Sequence, residues 1–558
     1  MADRRTLRRV VWIALGAAVL LCVAGVFQHG LWTPDEPREA EVGREMLDAH
    51  FSAVPTLGGE QFLEKPPLSA WFTAASYAAF GVSPGAARVP STLFAIGTIL
   101  VAYFLGKRAA GRVAGMFSAI ALATMWQFSE TSHKAVLDVA LTFFVAAGHL
   151  AFLRLRSGRC VTAYVVIGVL SGLAFLTKSW VGPALLCAPP ILAWAAMREW
   201  ETVKRVLPRA FFASVLGVVV LGGPWVLALA NTPGAGWAAV KECLWTEYVG
   251  RSVGHSEFTK QGHSDHPFWY YAYTGLIVLA PWCLALPAML KGGTLSRSWR
   301  GGRALWCALV FVAGVALLSA PTGKRELYLL PLMPVAAVAV GVWLSRAGSR
   351  RGGGWDRLTC NTYRILGWSV LTAAGLGVAY MSRGGHLPKG AAASAAMLDY
   401  RAFGYGCVAV GVVALAAAFW VRRVKRISLP PAGRAAWALV VLYAFLHAAV
   451  GPLIDPLRDM SAGAREIASL VPADEELLAY SADETTLAVV PFYSGRLVDN
   501  VESGGKALRG LETGVSKHLI VMDKDVPRMG QALTSRLVLV KTVRFSSTRG
   551  VNVYAYRP

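Results

Sequence analysis

Charge is scarce in this sequence. Only 16% of its 558 residues are charged and 55% are apolar, whereas a soluble chain carries about a quarter charged residues. Uncharged stretches of about twenty residues recur along its length, which makes the expected fold a polytopic α-helical membrane protein rather than a soluble enzyme. Cysteine is scarce too. The eight cysteines show no metal-ligand spacing, and only Cys243 falls in a segment expected on the outer side, so no disulfide framework is implied. A Gly-rich phosphate loop is missing from the polar C-terminal stretch, and no cofactor motif appears. Ionisable residues deep in the spans are missing as well, except Asp138, His149 and His447, each toward an end. That argues against a proton-coupled transporter, which needs such groups near the midplane.

The net charge of +22 could suggest a nucleic-acid partner, but its distribution excludes one. Residues 452–558 hold thirteen basic and thirteen acidic side chains. The excess lies between the apolar spans, of which thirteen are marked: 10–29, 89–106, 112–129, 135–153, 160–177, 181–197, 210–230, 268–290, 304–320, 327–345, 365–381, 403–421 and 435–451. Alternate gaps carry 28 of the 55 Lys and Arg, and the short gaps opposite carry only Lys134, Lys178, Lys324 and Arg325. The positive-inside rule then places the N-terminus in the cytoplasm and the C-terminal segment outside. The first span is read as a retained anchor, since its apolar core exceeds that of a signal peptide.

Two units follow: a transmembrane domain over 1–451 with outer loops 30–88 and 231–267, and an exported domain over 452–558. In the first loop, "WTPDEPREAE" predicts a helix from Pro34 to His50, with Thr33 as N-cap, Pro34 at the first helical position and Glu36 as capping-box acid. "PPLSAWFTAASYAAF" is too short for a span and reads as an interfacial helix. In the C-terminal unit "SAGAREIASLV" predicts an amphipathic helix, and "ELLAYS", "HLIVMD", "RLVLVKTVRF" and "RGVNVYAY" predict strands, the last two a hairpin. It is a small α/β domain.

The unusual charges gather on the outer side: Asp35, Glu36, Glu64, Lys65, Lys134, Asp138, Lys178, Lys324 and Arg325. Basic residues retained there against the orientation trend suit an anionic ligand, and a neighbouring carboxylate cluster suits a phosphate leaving group with a hydroxyl- or amine-bearing substrate. Simpler roles exist for seven of the nine. Asp35 and Glu36 can serve a helix dipole, Lys134 can pair with Asp138 four residues on, Lys178 can snorkel to the interface, and Lys324 and Arg325 can meet lipid phosphates. In the 231–267 loop, Glu247 and Arg251 are spaced for a helix-face pair. His255, His263 and His266 lie close together but fit no standard zinc pattern, and a divalent metal is left open. "PFWYY" reads first as an aromatic belt.

The motif series as a whole resembles a known family. "PDEPREAEVGREML", "FLEKPPL", "KAVLDVAL", "LAFLTKSWVGPAL", "HPFWYY" and "GKRELYLLP" fall in the order seen in the aminoarabinose transferases that modify lipid A. These are type-C membrane glycosyltransferases akin to the protein O-mannosyltransferases. The resemblance implies transfer of 4-amino-4-deoxy-L-arabinose from undecaprenyl phosphate to a lipid A phosphate, at the periplasmic face of the bacterial inner membrane, with membrane lipids as surroundings. It implies a catalytic role for Asp35 and Asp138. It implies substrate or phosphate contacts for Glu36, Glu64, Lys65, Lys134, Lys178, Arg251, Lys324, Arg325 and Tyr328. Two positions depart from the family pattern: Glu39 and Phe62 stand where tyrosines are usual. The alternatives are a polyprenyl-phosphate-dependent transferase acting on protein Ser/Thr or another glycan, and a flippase.

Overall fold

The computed structural model describes residues 4–558 apart from 157, 159, 251–265, 292–293, 296–301, 348–353, 355, 357, 364–430, 448–454, 456–457, 515, 547–548 and 558. The expected spans at 365–381 and 403–421, and Arg251, His255 and His263, lie outside the described residues.

Apolar runs become helices where expected. In chain order they are α1 (Arg4–Val23), α2 (Glu36–Asp48), α3 (Leu68–Phe80), α4 (Pro84–Ala110), α5 (Arg112–Ala123), α6 (Trp126–Thr131), α7 (Leu137–Leu155), α8 (Val161–Lys178), α9 (Val181–Ala196), α10 (Trp200–Gly217) and α11 (Gly223–Asn231). After α12 (Gly236–Lys241) come α13 (Tyr270–Val278), α14 (Leu286–Lys291), α15 (Arg303–Ser319), α16 (Met333–Ala347) and α17 (Pro431–Phe445). Six continuous helical segments among the described residues are long and apolar enough to cross a membrane. The segment Trp200–Asn231, in which a π-helical stretch Val218–Gly222 joins α10 to α11, has only 22% of its apolar window buried inside the protein. Side chains such as Phe211, Phe212, Val219 and Val220 are exposed along it, and an apolar surface of that extent requires lipid. This is a membrane protein.

One expected span is not a simple helix. Within 268–290 the chain bends by 102° between Tyr270–Val278 and Trp282–Lys291. Pro281 lies at the break, where it lacks the N–H a continuing helix needs. The expected span 112–129 is likewise divided, into α5 and the short α6.

Small residues let the helices approach closely. A Cβ on Gly341 of α16 would fall 2.3 Å from Ser118 Oγ of α5, and one on Gly217 of α10 would fall 1.8 Å from the Gly168 carbonyl oxygen of α8. Lipid offers no hydrophobic drive for helices to associate, so such van der Waals contact holds the bundle.

In the first loop α2 runs over Glu36–Asp48 with Asp35 as N-cap and Pro37 in its first turn. The cap differs from the expected one. Thr33 does not cap, and the Glu36 carboxylate accepts the Trp32 backbone N–H at 2.9 Å, so the reach-back of a capping box is kept but falls one residue earlier in the chain. A two-stranded hairpin, β1 (Thr56–Leu57) with β2 (Glu60–Gln61), follows. The segment read as interfacial is helix α3.

The C-terminal segment builds one five-stranded sheet from β3 (Leu477–Tyr480), β4 (Val498–Val501), β5 (His518–Met522), β6 (Leu537–Ser546) and β7 (Arg549–Tyr556), ordered β4-β3-β5-β7-β6. β4, β3 and β5 are parallel, and the β6–β7 hairpin joins antiparallel through β7. Every β3 side chain is buried, as a strand covered on both faces requires. Leu477 and Ala479 meet α18 (Ser461–Leu470) and α19 (Glu484–Ser494) on one face. Leu478 and Tyr480 meet α20 (Gly504–Glu512) on the other. The expected helix and four strands are present. β4, α19 and α20 are additions, and "RLVDNV" carries too polar an alternation to have signalled β4.

Candidate active site

The acidic stretch that opens α2 divides its carboxylates between two tasks. Glu36 turns inward. Arg88, near the start of α4, donates from Nε to Glu36 Oε1 at 2.7 Å and from a terminal nitrogen to Oε2 at 3.1 Å, and both side chains are fully buried. Arg88 also donates to the carbonyls of Val26, His29 and Gly30, and Glu36 also accepts the Ala135 N–H. The end of α1, the first loop, α4 and the segment before α7 are thus tied at one point. Glu36, expected to contact substrate, is held by Arg88 without solvent exposure and also borders the cavity described below. Arg88 carried no signal in the sequence beyond being an arginine at the edge of an apolar span.

Asp35 faces the other way. Its carboxylate accepts from both terminal nitrogens of Arg325, at 2.6 and 3.3 Å, and from Arg38 at 3.2 Å. Burial alone would raise its pKa, but the hydrogen bond and charge of Arg325, with Lys65 and Arg38 adding to them, hold the carboxyl well below the usual range. Asp35 stays ionised.

Arg38 is the hub of the cluster. It donates to Glu484 of α19 at 2.9 Å, contacts Asp35 and Glu39, and lies 4.0 Å from Glu64. The two departures from the family pattern both belong here. Glu39 accepts from Lys65 at 2.8 Å, and the Phe62 ring lies 5.7 Å below the Arg38 guanidinium. An ion pair and a cation–π contact occupy the two positions where the family pattern has phenols.

A second group adjoins through Arg325. Lys178 donates to Asp138 at 2.5 Å and sits 4.3 Å over the Tyr328 ring. Arg325 feels the charges of Asp35, Tyr328 and Asp138. The plain reading of a Lys134–Asp138 pair is corrected. Lys134 reaches back one turn to Glu130, because the extended residue Val136 separates it from the helix that carries Asp138.

These groups border a cavity of about 550 Å³ whose walls include Asp35, Arg38, Glu130, Lys134, His266, Tyr270, Lys324, Arg325 and Glu484. Lys324 is buried, and its ammonium donates only to backbone carbonyls, of His266 at 2.9 Å and Pro321 at 2.5 Å. Among the described residues it has no carboxylate partner. A buried cation so placed favours an anion in the cavity. The cavity thus brings together Asp35, Lys134, Lys324 and Arg325, with Lys65 and Glu64 one contact away through Glu39 and Arg38. Lys178, Asp138 and Tyr328 stand behind Arg325. His266 is stacked on Tyr270 at 4.0 Å, and no cluster of three metal-ligating side chains occurs among the described residues. The sequence reading missed Arg38, Glu130 and Glu484. Glu130 was signalled by its spacing from Lys134, and Glu484 by nothing local.

A carboxylate held ionised and a buried lysine without a carboxylate partner among the described residues border one cavity of a helical membrane protein, an arrangement that suits an anionic ligand. Comparisons with known proteins narrow that further. Residues 64–226 match the model of the dolichyl-phosphate-mannose-protein mannosyltransferase family. Undecaprenyl phosphate-alpha-4-amino-4-deoxy-L-arabinose arabinosyl transferases from Edwardsiella ictaluri and Pseudomonas fluorescens are 28% and 29% identical over 58% and 66% of this chain. The matched regions span 57% and 63% of those relatives' own lengths. The fold is similar to that of ArnT from Cupriavidus metallidurans, solved with undecaprenyl phosphate bound: TM-score 0.73, 21% identity, 97% of both chains covered. It is more distantly similar to the archaeal oligosaccharyltransferase AglB of Archaeoglobus fulgidus, with TM-score 0.52 over 93% of this chain and 69% of that one. The likeness to the aminoarabinose transferases that the motif series carries therefore holds in sequence and in fold.

Proposed function

We propose that this protein transfers 4-amino-4-deoxy-L-arabinose from undecaprenyl phosphate to a phosphate of lipid A, at the periplasmic face of the bacterial inner membrane. In this reading thirteen spans put the N-terminus in the cytoplasm and the C-terminal α/β domain in the periplasm. The observation that carries it is the ionised Asp35 beside the cavity that holds Lys324. The relatives' activity and the bound polyprenyl phosphate of the similar fold supply the substrate class.

The bond between the sugar's anomeric carbon and the donor phosphate oxygen breaks, its electron pair leaving with undecaprenyl phosphate. An oxygen of the acceptor phosphate bonds to the same carbon. That acceptor is already anionic near neutral pH, so no general base is needed. Asp35 stabilises positive charge developing on the sugar or holds its ammonium, and Lys324, Arg325 and Lys65 stabilise the departing phosphate. Lys65 exchanges Glu39 for phosphate oxygen to do so. Removing one such contact reduces rate by about 10²–10³. Asp138, paired with Lys178, adds a favourable charge near Arg325.

The test is mass spectrometry of lipid A from cells that make the donor but lack their own transferase. Expression of the parent should add an aminopentose, and well-expressed Asp35→Asn should not. Unmodified lipid A with the parent, despite donor supply, would sink this reading in favour of a protein or other glycan acceptor.

A further inference from the structure

Five carboxylates border the cavity of about 550 Å³: Asp35, Glu36, Glu130, Glu326 and Glu484. Cations hold four of them. Asp35 is met by Arg325 and Arg38, Glu36 by Arg88, Glu130 by Lys134 and Glu484 by Arg38. Glu326, the first residue of the 3₁₀ turn Glu326–Leu332, is exposed and has no cationic partner among the described residues. The Tyr270 hydroxyl lies within hydrogen-bonding reach of it. A carboxylate on a cavity wall that no protein cation satisfies is open to a cationic ligand.

Glu326 has a counterpart two residues back. Lys324 lies on the same wall, is buried, and has no partner of opposite charge among the described residues. The backbone between them, at Arg325, is extended, with φ −137° and ψ 146°. Side chains at 324 and 326 therefore leave the chain on the same side, from Cα atoms about 6.6 Å apart. Their contacts agree with this. Lys324 reaches the His266 carbonyl at 2.9 Å, Glu326 lies beside the hydroxyl of Tyr270 four residues on, and the His266 and Tyr270 rings are stacked. The wall presents a cation in its depth and an anion at its edge, the complement of a zwitterion.

We propose that Glu326 is the contact that selects an aminosugar donor: its carboxylate holds the ammonium on C4 of the sugar while Lys324 holds the phosphate on C1. The assignment rests on the transferase reading above. C1 and C4 are opposite corners of the pyranose ring, so the donor carries its anion and its cation at opposite ends, as the wall does. Arg325, between the two, reaches Asp35 at 2.6 Å, which places that carboxylate beside the anomeric carbon. Asp35 already has two guanidinium partners. It is left to the positive charge developing at C1, and the ammonium goes to Glu326. A donor with a neutral group at C4 forfeits that charge-assisted hydrogen bond.

Two undecaprenyl phosphate donors that differ only at C4, one with an amine and one with a hydroxyl, provide the test. The full-length protein in nanodiscs is titrated with each in the absence of acceptor, and transfer to lipid A is then measured with each. The parent should bind the amine donor at least about tenfold more tightly, the order expected of one charged hydrogen bond, and show a similar ratio of kcat/KM. Glu326→Gln should bring both ratios to within about twofold of one, and Glu326→Asp should recover part of them. Glu130→Gln, which removes a carboxylate already held by Lys134, should keep the parent's ratios. Misfolding lowers both donors alike and leaves a ratio unmoved. Equal binding of the two donors by the parent would overturn the contact, as would undiminished ratios in Glu326→Gln or their loss in Glu130→Gln. Amine-selective binding without any sugar transfer would keep the contact and overturn the transferase reading; transfer from both donors without preference would do the reverse.

Discussion

At the scale of single residues the proposed chemistry turns on what keeps Asp35 charged. Burial pushes its carboxyl toward neutrality and Arg325 overrides that. A carboxyl whose folded pKa lies below its unfolded value contributes stability above about pH 4, lost as pH falls through the folded pKa. Between pH 5 and 9, therefore, Asp35 should impose no acid limb on transfer. Arg325→Gln removes the largest favourable influence while burial and the weaker help of Lys65 and Arg38 remain, so the Asp35 pKa should rise. The kcat/KM profile of that variant should gain an acid limb at higher pH than the parent's. A profile of unchanged shape, merely lowered, would mean that Arg325 serves phosphate alone. Glu39 allows a second test. Its pairing with Lys65 predicts that Glu39→Tyr, the residue usual in the family pattern, frees the ammonium and lowers the donor KM severalfold; a raised donor KM would show that Glu39 positions Lys65 rather than restrains it.

At the scale of elements, the clasp between the first loop and α4 sets the site's geometry. Arg88 and Glu36 are both without solvent exposure, and stripping one partner from a buried ion pair costs about 3–5 kcal/mol. Arg88→Met should lower the melting temperature in detergent strongly, and adding Glu36→Met should recover only part, because the Val26, His29 and Gly30 carbonyls lose their donor in either case. Full recovery would mean that the ion pair alone matters. Most elements were legible in the sequence: the apolar runs, α2, and four of the five strands of the C-terminal sheet announce themselves by period and composition. The site was legible as a list of outer-side charges but not as partnerships. Lys134 and Asp138, four apart, invite pairing, yet the break at Val136 ends the helical register between them, and their partners are Glu130 and Lys178. Glu36 and Asp35 are adjacent, chemically alike and both at the cavity, and only tertiary structure decides that one pairs with Arg88 and the other with Arg325. The fracture at Pro281 had a local signal, a proline inside an apolar run, which the length of the run outweighed.

At the scale of the whole molecule, the C-terminal segment holds the active loop as well as adjoining it. Asp455 accepts the Gly30 N–H at 2.9 Å and the Trp32 indole N–H at 2.8 Å, and the Tyr493 hydroxyl accepts the Leu31 N–H at 3.0 Å. Three donors just ahead of Asp35 are thereby fixed from the far end of the chain, and Glu484 fixes Arg38 a turn further on. Loss of an acceptor to a partly buried N–H costs about 1–3 kcal/mol. The catalytic consequence exceeds that, since a displacement of about 1 Å in a reacting group can cost about 10² in rate. Asp455→Ala should therefore reduce kcat by about tenfold or more, with the donor and acceptor KM values within threefold of the parent's and the membrane helices intact by circular dichroism. Tyr493→Phe, which removes one acceptor of the three contacts, should fall between. The comparison discriminates two roles for the domain. If Asp455→Ala only lowers the melting temperature and keeps the parent's kcat, the segment braces the fold without setting the position of Asp35. If kcat falls while the helices persist, the C-terminal domain is part of the catalytic apparatus, and the distance in sequence between Asp35 and its supports explains why no local pattern revealed it.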